Sequence, residues 1–129
     1  MSKFALKHIP QIKGKVKFYL LITNGECQYE EFERRVMREG NYENELDQIQ
    51  LRFQEVAEMI QPINKTKFRD ITPKKEKVKE YEAKTKNLRV YLIHQENTGR
   101  VIVFAGQKNT QKKDIRKFRS IKTQYLSTL

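Results

Sequence analysis

The chain has 129 residues, a length that fits one compact domain, and its 37% hydrophobic content can supply a modest core. Its formal net charge of +11 predicts an anionic partner. No run approaches the ~18 apolar residues of a membrane span, and the N-terminus lacks the apolar segment of a secretory signal, so we expect a cytoplasmic protein. The single cysteine, Cys27, excludes an intramolecular disulfide framework and a cysteine-rich zinc site. Cys27 could act as a lone nucleophile, but no recognisable motif ties it to His8 or His94, so we do not expect that role.

Acidic and basic residues are segregated along the chain. Residues 26–62 contain ten acidic and four basic side chains, whereas residues 63–129 contain six acidic and eighteen basic ones, a local balance of +12. The second half therefore carries the basic surface. A solvated charged face is the simpler interpretation for the isolated lysines near the N-terminus, and an anion-binding surface is the better one for the second half.

The first half of the chain predicts one strand and two helices. A β-branched and aromatic run over 15–23 ends at the turn formed by Asn24 and Gly25 and reads as a strand. A helix over 29–39 follows and stops at Gly40. A second helix begins near Tyr42 and closes at Pro62. Its apolar stripe is more typical of a core than of a partner-binding face and consists of Leu46, Ile49, Phe53, Val56 and Ile60.

The second half predicts a β-meander and a closing helix. Residues 64–77 are polar, include Pro73 and are predicted to form a mobile connector. Three β-type runs follow at 78–85, 88–94 and 100–106, joined by short turns, which indicates an antiparallel meander. After Gly106 a basic helix has its apolar positions at helical spacing, namely Ile115, Phe118, Ile121 or Lys122, and Tyr125. The predicted fold class is α+β, with a small antiparallel sheet (the N-terminal strand plus the meander), two central helices and a basic C-terminal helix.

The stretch "KTKNLRVYLI", residues 84–93, places cations beside a strand that otherwise looks buried. Because side chains alternate across a strand, Arg89 shares a face with Tyr91 and Ile93, while His94 lies on the opposite face. A short turn near Lys86 then brings Lys84 close to Arg89, with Glu82 one pleat away on the same face. We expect this face to be exposed, and a surface salt bridge is the simpler alternative to a functional site.

The segments "KFRDIT", "YEAKTKNLRVYLI" and "TGRVIVFAGQKNTQKKDI", together with the predicted element order, resemble the RelE/ParE/HigB superfamily of bacterial toxin–antitoxin toxins, and in particular its HigB-like, phage-derived branch. The resemblance covers the chain from about Tyr29 onward. It implies a single toxin domain over 1–129, RelE-like in fold. The implied activity is that of a small ribonuclease that enters the ribosomal A site, cuts mRNA and is blocked by a partner antitoxin.

Carried over position by position, the resemblance implies four catalytic residues: Glu82, Lys84, Arg89 and Lys108. The chain departs from RelE proper, which has a tyrosine after the last of these cations. No tyrosine lies between residues 109 and 117, and Tyr125 is too far along the helix to replace it. ParE-type relatives poison a topoisomerase instead of cutting RNA, so a non-hydrolytic topoisomerase poison is one alternative function.

The residue types suit RNA cleavage by attack of a 2′-OH on the adjacent phosphate, a reaction that requires no metal or other cofactor. Arg89 is the best candidate for neutralising phosphoryl charge, because a guanidinium stays protonated and grips phosphate in a bidentate manner. Lys84 or Lys86 serves as base only if neighbouring cations lower its pKa, and Glu82 is the alternative base. Lys108 is either the acid or a second phosphate clamp.

Further cations of the second half are expected to track an RNA backbone. They are Lys86 in the hairpin turn and four residues of the closing helix, Lys112, Lys113, Arg116 and Lys117. Backbone amides near Thr110, at the start of that helix, add anion affinity. Without the family resemblance these cations indicate nucleic-acid binding only, so an RNA-binding module without hydrolysis is a second alternative. A structural protein docked on an acidic partner is a third.

The expected protein partner is a cognate antitoxin, of helix-turn-helix type and with an acidic contact segment. Its carboxylates are expected to lie over Lys84, Arg89 and Lys108, or its helix to displace the connector over 64–77. Either arrangement would block the RNA-binding surface. The sequence leaves the codon preference, the oligomeric state and the identity of the general acid and base open.

Overall fold

Six strands form one mixed sheet in the computed structural model, which describes residues 3–59 and 64–129. Neighbouring strands run in the order β1–β2–β6–β5–β4–β3, and all pairs are antiparallel except β2 with β6. The strands are β1 Phe4–His8, β2 Phe18–Thr23, β3 Phe68–Asp70, β4 Glu80–Lys84, β5 Leu88–Gln95 and β6 Gly99–Gln107. The α+β class and the predicted meander are confirmed, and the parallel β2–β6 pair corrects the expectation of a purely antiparallel sheet.

Three α-helices accompany the sheet: α1 Gln28–Glu39, α2 Glu43–Ala57 and α3 Gln111–Leu126. Gly40 ends α1 in the left-handed region (φ 73°), and its N–H donates to the carbonyl of Val36, which is the role predicted for this glycine. A 3-10 turn, Lys108–Thr110, leads into α3. Two residues predicted to lie at the end of the second helix, Ile60 and Pro62, are outside the described residues.

The helices cover both faces of the sheet. On one face, α1 and α2 enclose a core that includes Phe32, Phe53 and Val90. On the other face, α3 packs Phe118 against Tyr91, with ring centroids 5.5 Å apart. This double coverage explains why residues 88–93 of β5 are all buried and, apart from Arg89, mainly apolar, since strands buried on both faces lose the polar half of the alternation.

Two short strands at the edges of the sheet were not predicted. The first, β1, carries Phe4 and Leu6 against α3, and Phe4 makes an edge contact with Tyr125. The second, β3, lies within the segment predicted to be a mobile connector. It pairs with β4, and the residues that flank it continue the contact: Lys84 N donates to Lys67 O (2.8 Å) and Ile71 N donates to Glu80 O (2.9 Å). A three-residue strand is too short for periodicity to reveal it.

A buried ion pair fastens α3 to β4. Lys122 of α3 is 2% exposed and its ammonium lies 2.7 Å from a carboxylate oxygen of Glu80, which is 1% exposed. Lys122 also donates to the carbonyl of Val78, and Arg119 binds the second oxygen of Glu80 at 2.9 Å. The sequence left open whether Ile121 or Lys122 faces the core. Both do, and the lysine is tolerated there because its charge is neutralised and its protons are bound.

This arrangement predicts a specific pattern of stabilities. Replacing Lys122→Met should lower the free energy of unfolding by about 3 kcal/mol, because Glu80 then keeps a buried charge with one fewer partner. The double replacement Glu80→Leu and Lys122→Met should recover most of that loss. Urea denaturation measures both.

The control is Lys79→Met, which removes an exposed lysine 4.0 Å from Asp70 and should change stability by less than about 1 kcal/mol. A single Lys122→Met protein as stable as the parent would contradict the importance of the pair.

Candidate functional site

The β4–β5 hairpin brings together the residues that the sequence singled out. Lys84 lies opposite Arg89 in the strand register, and Glu82 lies opposite Tyr91, as predicted from alternation. The turn between the strands is held by the Glu45 carboxylate of α2, which accepts hydrogen bonds from the Thr85 hydroxyl and from both nitrogens of Asn87. Partial burial opposes ionisation of Glu45, but these hydrogen bonds outweigh it and lower its pKa.

Arg89 is buried, which corrects the expectation of an exposed face. Only 5% of the residue is accessible, because α3 covers this side of the sheet. Its Nη1 donates to the backbone carbonyls of Thr85 (2.5 Å) and Leu88 (2.8 Å), while its Nε has no partner among the described residues. In this conformation the guanidinium stabilises the hairpin turn and is not presented to solvent. Removal of this side chain would therefore also disturb the fold.

Glu82 is fully buried and both of its carboxylate oxygens are engaged. Arg69 of β3 donates to Oε1 at 2.9 Å, and Gln111 at the start of α3 donates to Oε2 at 2.6 Å. The expected convergence of Glu82 with Lys84 and Arg89 is therefore only partly right, since Arg69 is the cation bound to this carboxylate. The contact between Arg69 and Glu82 was not predicted because Arg69 lies in the short edge strand β3.

A close approach between β6 and α3 completes the buried polar cluster. The carboxylate of Asp114 lies against Gly106, where a Cβ atom would collide with it, so a larger residue at this position would displace the carboxylate. The Thr110 hydroxyl donates to the same carboxylate at 2.6 Å. Gly106, the last residue of the β-type run predicted over 100–106, thus lies within β6 and has a packing role beneath the first turn of α3.

The hydroxyl of Tyr91 is buried in this cluster and has no hydrogen-bond partner among the described residues. Burial raises the pKa of Tyr91, and the nearby carboxylates Glu82 and Asp114 raise it further, while Arg89 and Arg69 act in the opposite direction. The phenol therefore stays neutral over the physiological range.

Exposed lysines lie at the same end of the sheet. Lys86 occupies the hairpin turn and Lys108 begins the 3-10 turn, and both are exposed. The backbone N–H of Lys108 donates to the carbonyl of Asn87 at 2.8 Å, which joins the two turns. Lys84 is partly buried at the end of β4. Among the predicted catalytic residues, Lys84 and Lys108 are thus the accessible ones.

Most of the predicted RNA-binding residues of α3 line a cleft between α3 and α1. The cleft has a volume of about 820 Å³ and is lined by Lys113, Arg116 and Lys117, with Arg35 on the α1 side. Its apolar floor includes Phe32, and the Arg35 guanidinium lies 5.7 Å from the centroid of that ring. Lys112 is exposed but lies outside the cleft lining. Arg35 was missed because it comes from the acidic half of the chain.

Three residues considered from the sequence lie elsewhere. His94 is partly buried, and burial together with Arg100 lowers its pKa. Tyr125 donates to Gln95 at 2.5 Å, at the end of β5 remote from the hairpin turn, so it does not supply the missing tyrosine. Cys27 is buried, and this burial raises the pKa of its thiol, which disfavours the nucleophilic thiolate.

Comparisons of the chain with protein-family models, with curated proteins and with solved structures give no match. Within residues 3–59 and 64–129, no group of three or more His, Cys, Asp and Glu side chains is arranged to hold a metal ion. Among the helices of those residues, none has the length and apolarity needed to cross a bilayer.

The unpartnered Tyr91 hydroxyl generates a prediction. Tyr91→Phe should raise the free energy of unfolding by about 1 kcal/mol, because it removes a buried polar group that has no partner. Because the pKa of Tyr91 is raised in the folded state, the phenol ionises first in the unfolded chain, near its ordinary value of about 10, and the parent protein loses stability as the pH rises above that value. The variant should therefore lose less stability than the parent above about pH 10, as measured by urea denaturation.

Tyr29→Phe is the matched control. The Tyr29 hydroxyl accepts a hydrogen bond from Gln50 at 2.9 Å, so its removal should destabilise the protein by about 1 kcal/mol. Equal destabilisation by the two replacements would show that the Tyr91 hydroxyl has a partner in solution.

Proposed function

We propose that the protein binds RNA, and that it acts in the bacterial cytoplasm as the toxin of a toxin–antitoxin pair that cleaves mRNA on the ribosome. The observation that carries the binding proposal is the cleft between α1 and α3, where four cations outnumber the two carboxylates of Glu31 and Asp114 and the floor is partly apolar. The cleft lining includes Asn109 and Thr110, which directly follow Lys108, so the cleft adjoins the lysines of the hairpin end. Such a surface suits a single-stranded RNA chain, whose phosphates contact cations.

We assign catalysis to the hairpin end because Lys84 ends β4, Lys86 lies in the turn to β5, and the N–H of Lys108 binds the carbonyl of Asn87 in that turn. Charge on the phosphoryl oxygens would be neutralised by Lys84 and Lys108, with Lys86 in support. Glu82 and Arg89 would contribute directly only if Gln111 and the first turn of α3 moved away, because α3 covers both side chains. The proposed chemistry remains attack of a 2′-OH on the adjacent phosphate without a metal.

RNA binding without hydrolysis is the second candidate function. It is favoured by the engagement of both Glu82 oxygens and by the commitment of the Arg89 guanidinium to backbone carbonyls. A protein of this kind would use the same cleft and need no movement of α3. A topoisomerase poison, the alternative implied by the ParE-type resemblance, would also dispense with these two side chains as catalysts.

The proposed partner is an acidic segment of a cognate antitoxin. The cations that bind RNA are also those that carboxylates would cover, so neutralisation by occlusion follows from charge complementarity. Lys84 and Lys108 are suitable contacts, whereas Arg89 is reached only if the first turn of α3 moves. Co-purification with the product of an adjacent gene would identify this partner.

The binding proposal predicts the effect of removing the cleft cations. The triple replacement Lys113→Gln, Arg116→Gln and Lys117→Gln should weaken binding to single-stranded RNA. It should also reduce the slope of log K against log salt by up to about 2, because each lost phosphate contact removes about 0.7. Fluorescence anisotropy at several salt concentrations measures both quantities.

A control that removes the same charge is Lys3→Gln, Lys13→Gln and Lys15→Gln, three exposed lysines outside the cleft. If the two triple variants lose affinity equally, the α3 cations form a solvated charged face and not a specific RNA-binding surface.

The cleavage proposal predicts that Lys84→Gln and Lys108→Gln each slow mRNA cleavage on purified translating ribosomes by about 100-fold. Both side chains are at least partly accessible, so circular dichroism should show an unchanged fold. The single variant Lys15→Gln should cut at the parental rate. If both site variants cut mRNA at the parental rate, the hairpin end is not the catalytic site. If the parent protein binds RNA but does not cut it, the second candidate function is favoured.

A further inference from the structure

A second cationic cleft lies on the sheet face that packs against α2, at the edge formed by β3 and β4. Its volume is about 660 Å³, and its lining includes four cations, Lys65, Arg69, Lys84 and Arg100. Asp70 is the acidic residue among the described lining residues. Because Arg69 is paired with Glu82, the local charge comes from Lys65, Lys84 and Arg100, and it favours an anionic ligand.

Arg100 is the central residue of this cleft. Its guanidinium carbon lies 4.1 Å from the centroid of the Tyr81 ring, so the side chain is held by a cation–π contact. Its Nε and Nη1 atoms are buried and have no hydrogen-bond acceptor among the described residues. The stack neutralises part of the cost of burying the charge, but it leaves these N–H groups unsatisfied, which is rare in native structures.

The neighbouring acid does not satisfy the guanidinium. The Asp70 carboxylate accepts a hydrogen bond from the backbone N–H of Thr72 at 2.8 Å and lies 4.0 Å from the Lys79 ammonium. Its pKa is lowered because hydrogen bonding from Thr72 and the charges of Lys79 and Arg100 outweigh the opposing effect of partial burial. Asp70 thus contributes long-range attraction to Arg100 without forming a hydrogen bond with it.

We infer that this cleft is an anion site that takes a phosphate group, either of an RNA chain or of a free nucleotide. A guanidinium presents its donors in a planar fork that matches phosphate oxygens, and Tyr81 fixes the plane of that fork in advance. Lys65 and Lys84 lie in the same lining and add point charges. The inference rests on Arg100 and on a cleft different from the one between α1 and α3, although its lining shares Lys84 with the proposed catalytic end.

The test follows the Arg100 Nε–H signal by NMR while the full chain is titrated with one of three probes: inorganic phosphate, AMP or a hexa-adenylate RNA. Loss of the signal in Arg100→Gln assigns it. Because Nε itself is buried, it acts as a reporter: a phosphate bound beside the guanidinium should shift this signal downfield in a saturable manner. Response to AMP and phosphate identifies a site for small phosphates, and response to the RNA alone identifies a site for a phosphate within a chain.

Variants then distinguish binding at Arg100 from non-specific attraction of anions to a positively charged protein. Arg100→Gln should weaken binding of the responsive probe by about tenfold or more, since hydrogen bonds to charged groups are lost. Tyr81→Leu should weaken it less, because the guanidinium remains but is no longer held. The control Lys3→Gln removes one charge from the start of the chain, beside the opposite edge strand β1, and should leave affinity unchanged.

The inference is overturned if none of the three probes shifts the Arg100 Nε–H signal, or if Arg100→Gln and Lys3→Gln bind the responsive probe equally well. Should Arg100→Gln fail to fold, Arg100→Lys keeps the charge without the fork, and the signal of the parent protein still decides. A downfield shift of that signal supports the proposed anion site, and an unchanged signal rules it out.

Discussion

The buried ion pair between Glu80 and Lys122 is the interaction on which the arrangement of this protein depends. Two charges withdrawn from water are tolerated only in one geometry, with Lys122 also bound to the carbonyl of Val78 and Glu80 also bound by Arg119. These contacts fix the position of α3 along β4. Because α3 is a rigid helix, they also fix its first turn, where Gln111 binds Glu82 and Asp114 rests on Gly106.

This anchoring divides the predicted site into a buried part and an accessible part. Glu82, Arg89 and Tyr91 lie beneath α3 and form a polar cluster whose donors and acceptors are largely satisfied within the protein, apart from Arg89 Nε and the Tyr91 hydroxyl. Lys86 and Lys108 remain exposed around it. The same helix that buries the first group carries the cations of the cleft, so α3 both covers the sheet and provides much of the basic surface.

Local patterns predicted most of the fold, because the long elements carry strong periodicity. The stripe over 46–56, the αL glycine Gly40 and the alternation in β5 all specify their environment within a few residues. The edge strands β1 and β3 could not be predicted, since their pairing depends on partners distant in the chain. The burial of Arg89 was missed for a related reason: alternation says which face a residue occupies, but not whether another helix covers that face.

For the site, spacing within the hairpin correctly predicted that Lys84 lies opposite Arg89. It could not predict that Arg69 binds Glu82 or that Arg35 completes the cleft, because both contacts join segments far apart in the sequence. A basic composition identifies the kind of partner, whereas the exact set of contacting cations is a property of tertiary packing.

Cross-linking of the protein to single-stranded RNA that contains 4-thiouridine, with the attached peptides identified by mass spectrometry, tests the central claim that this basic surface binds RNA. The account predicts cross-links in the first half of α3, in the α1 segment that contains Arg35 and in the turn that contains Lys86. Cross-links confined to the acidic surface between α1 and α2, around Glu43 and Asp47, would contradict it.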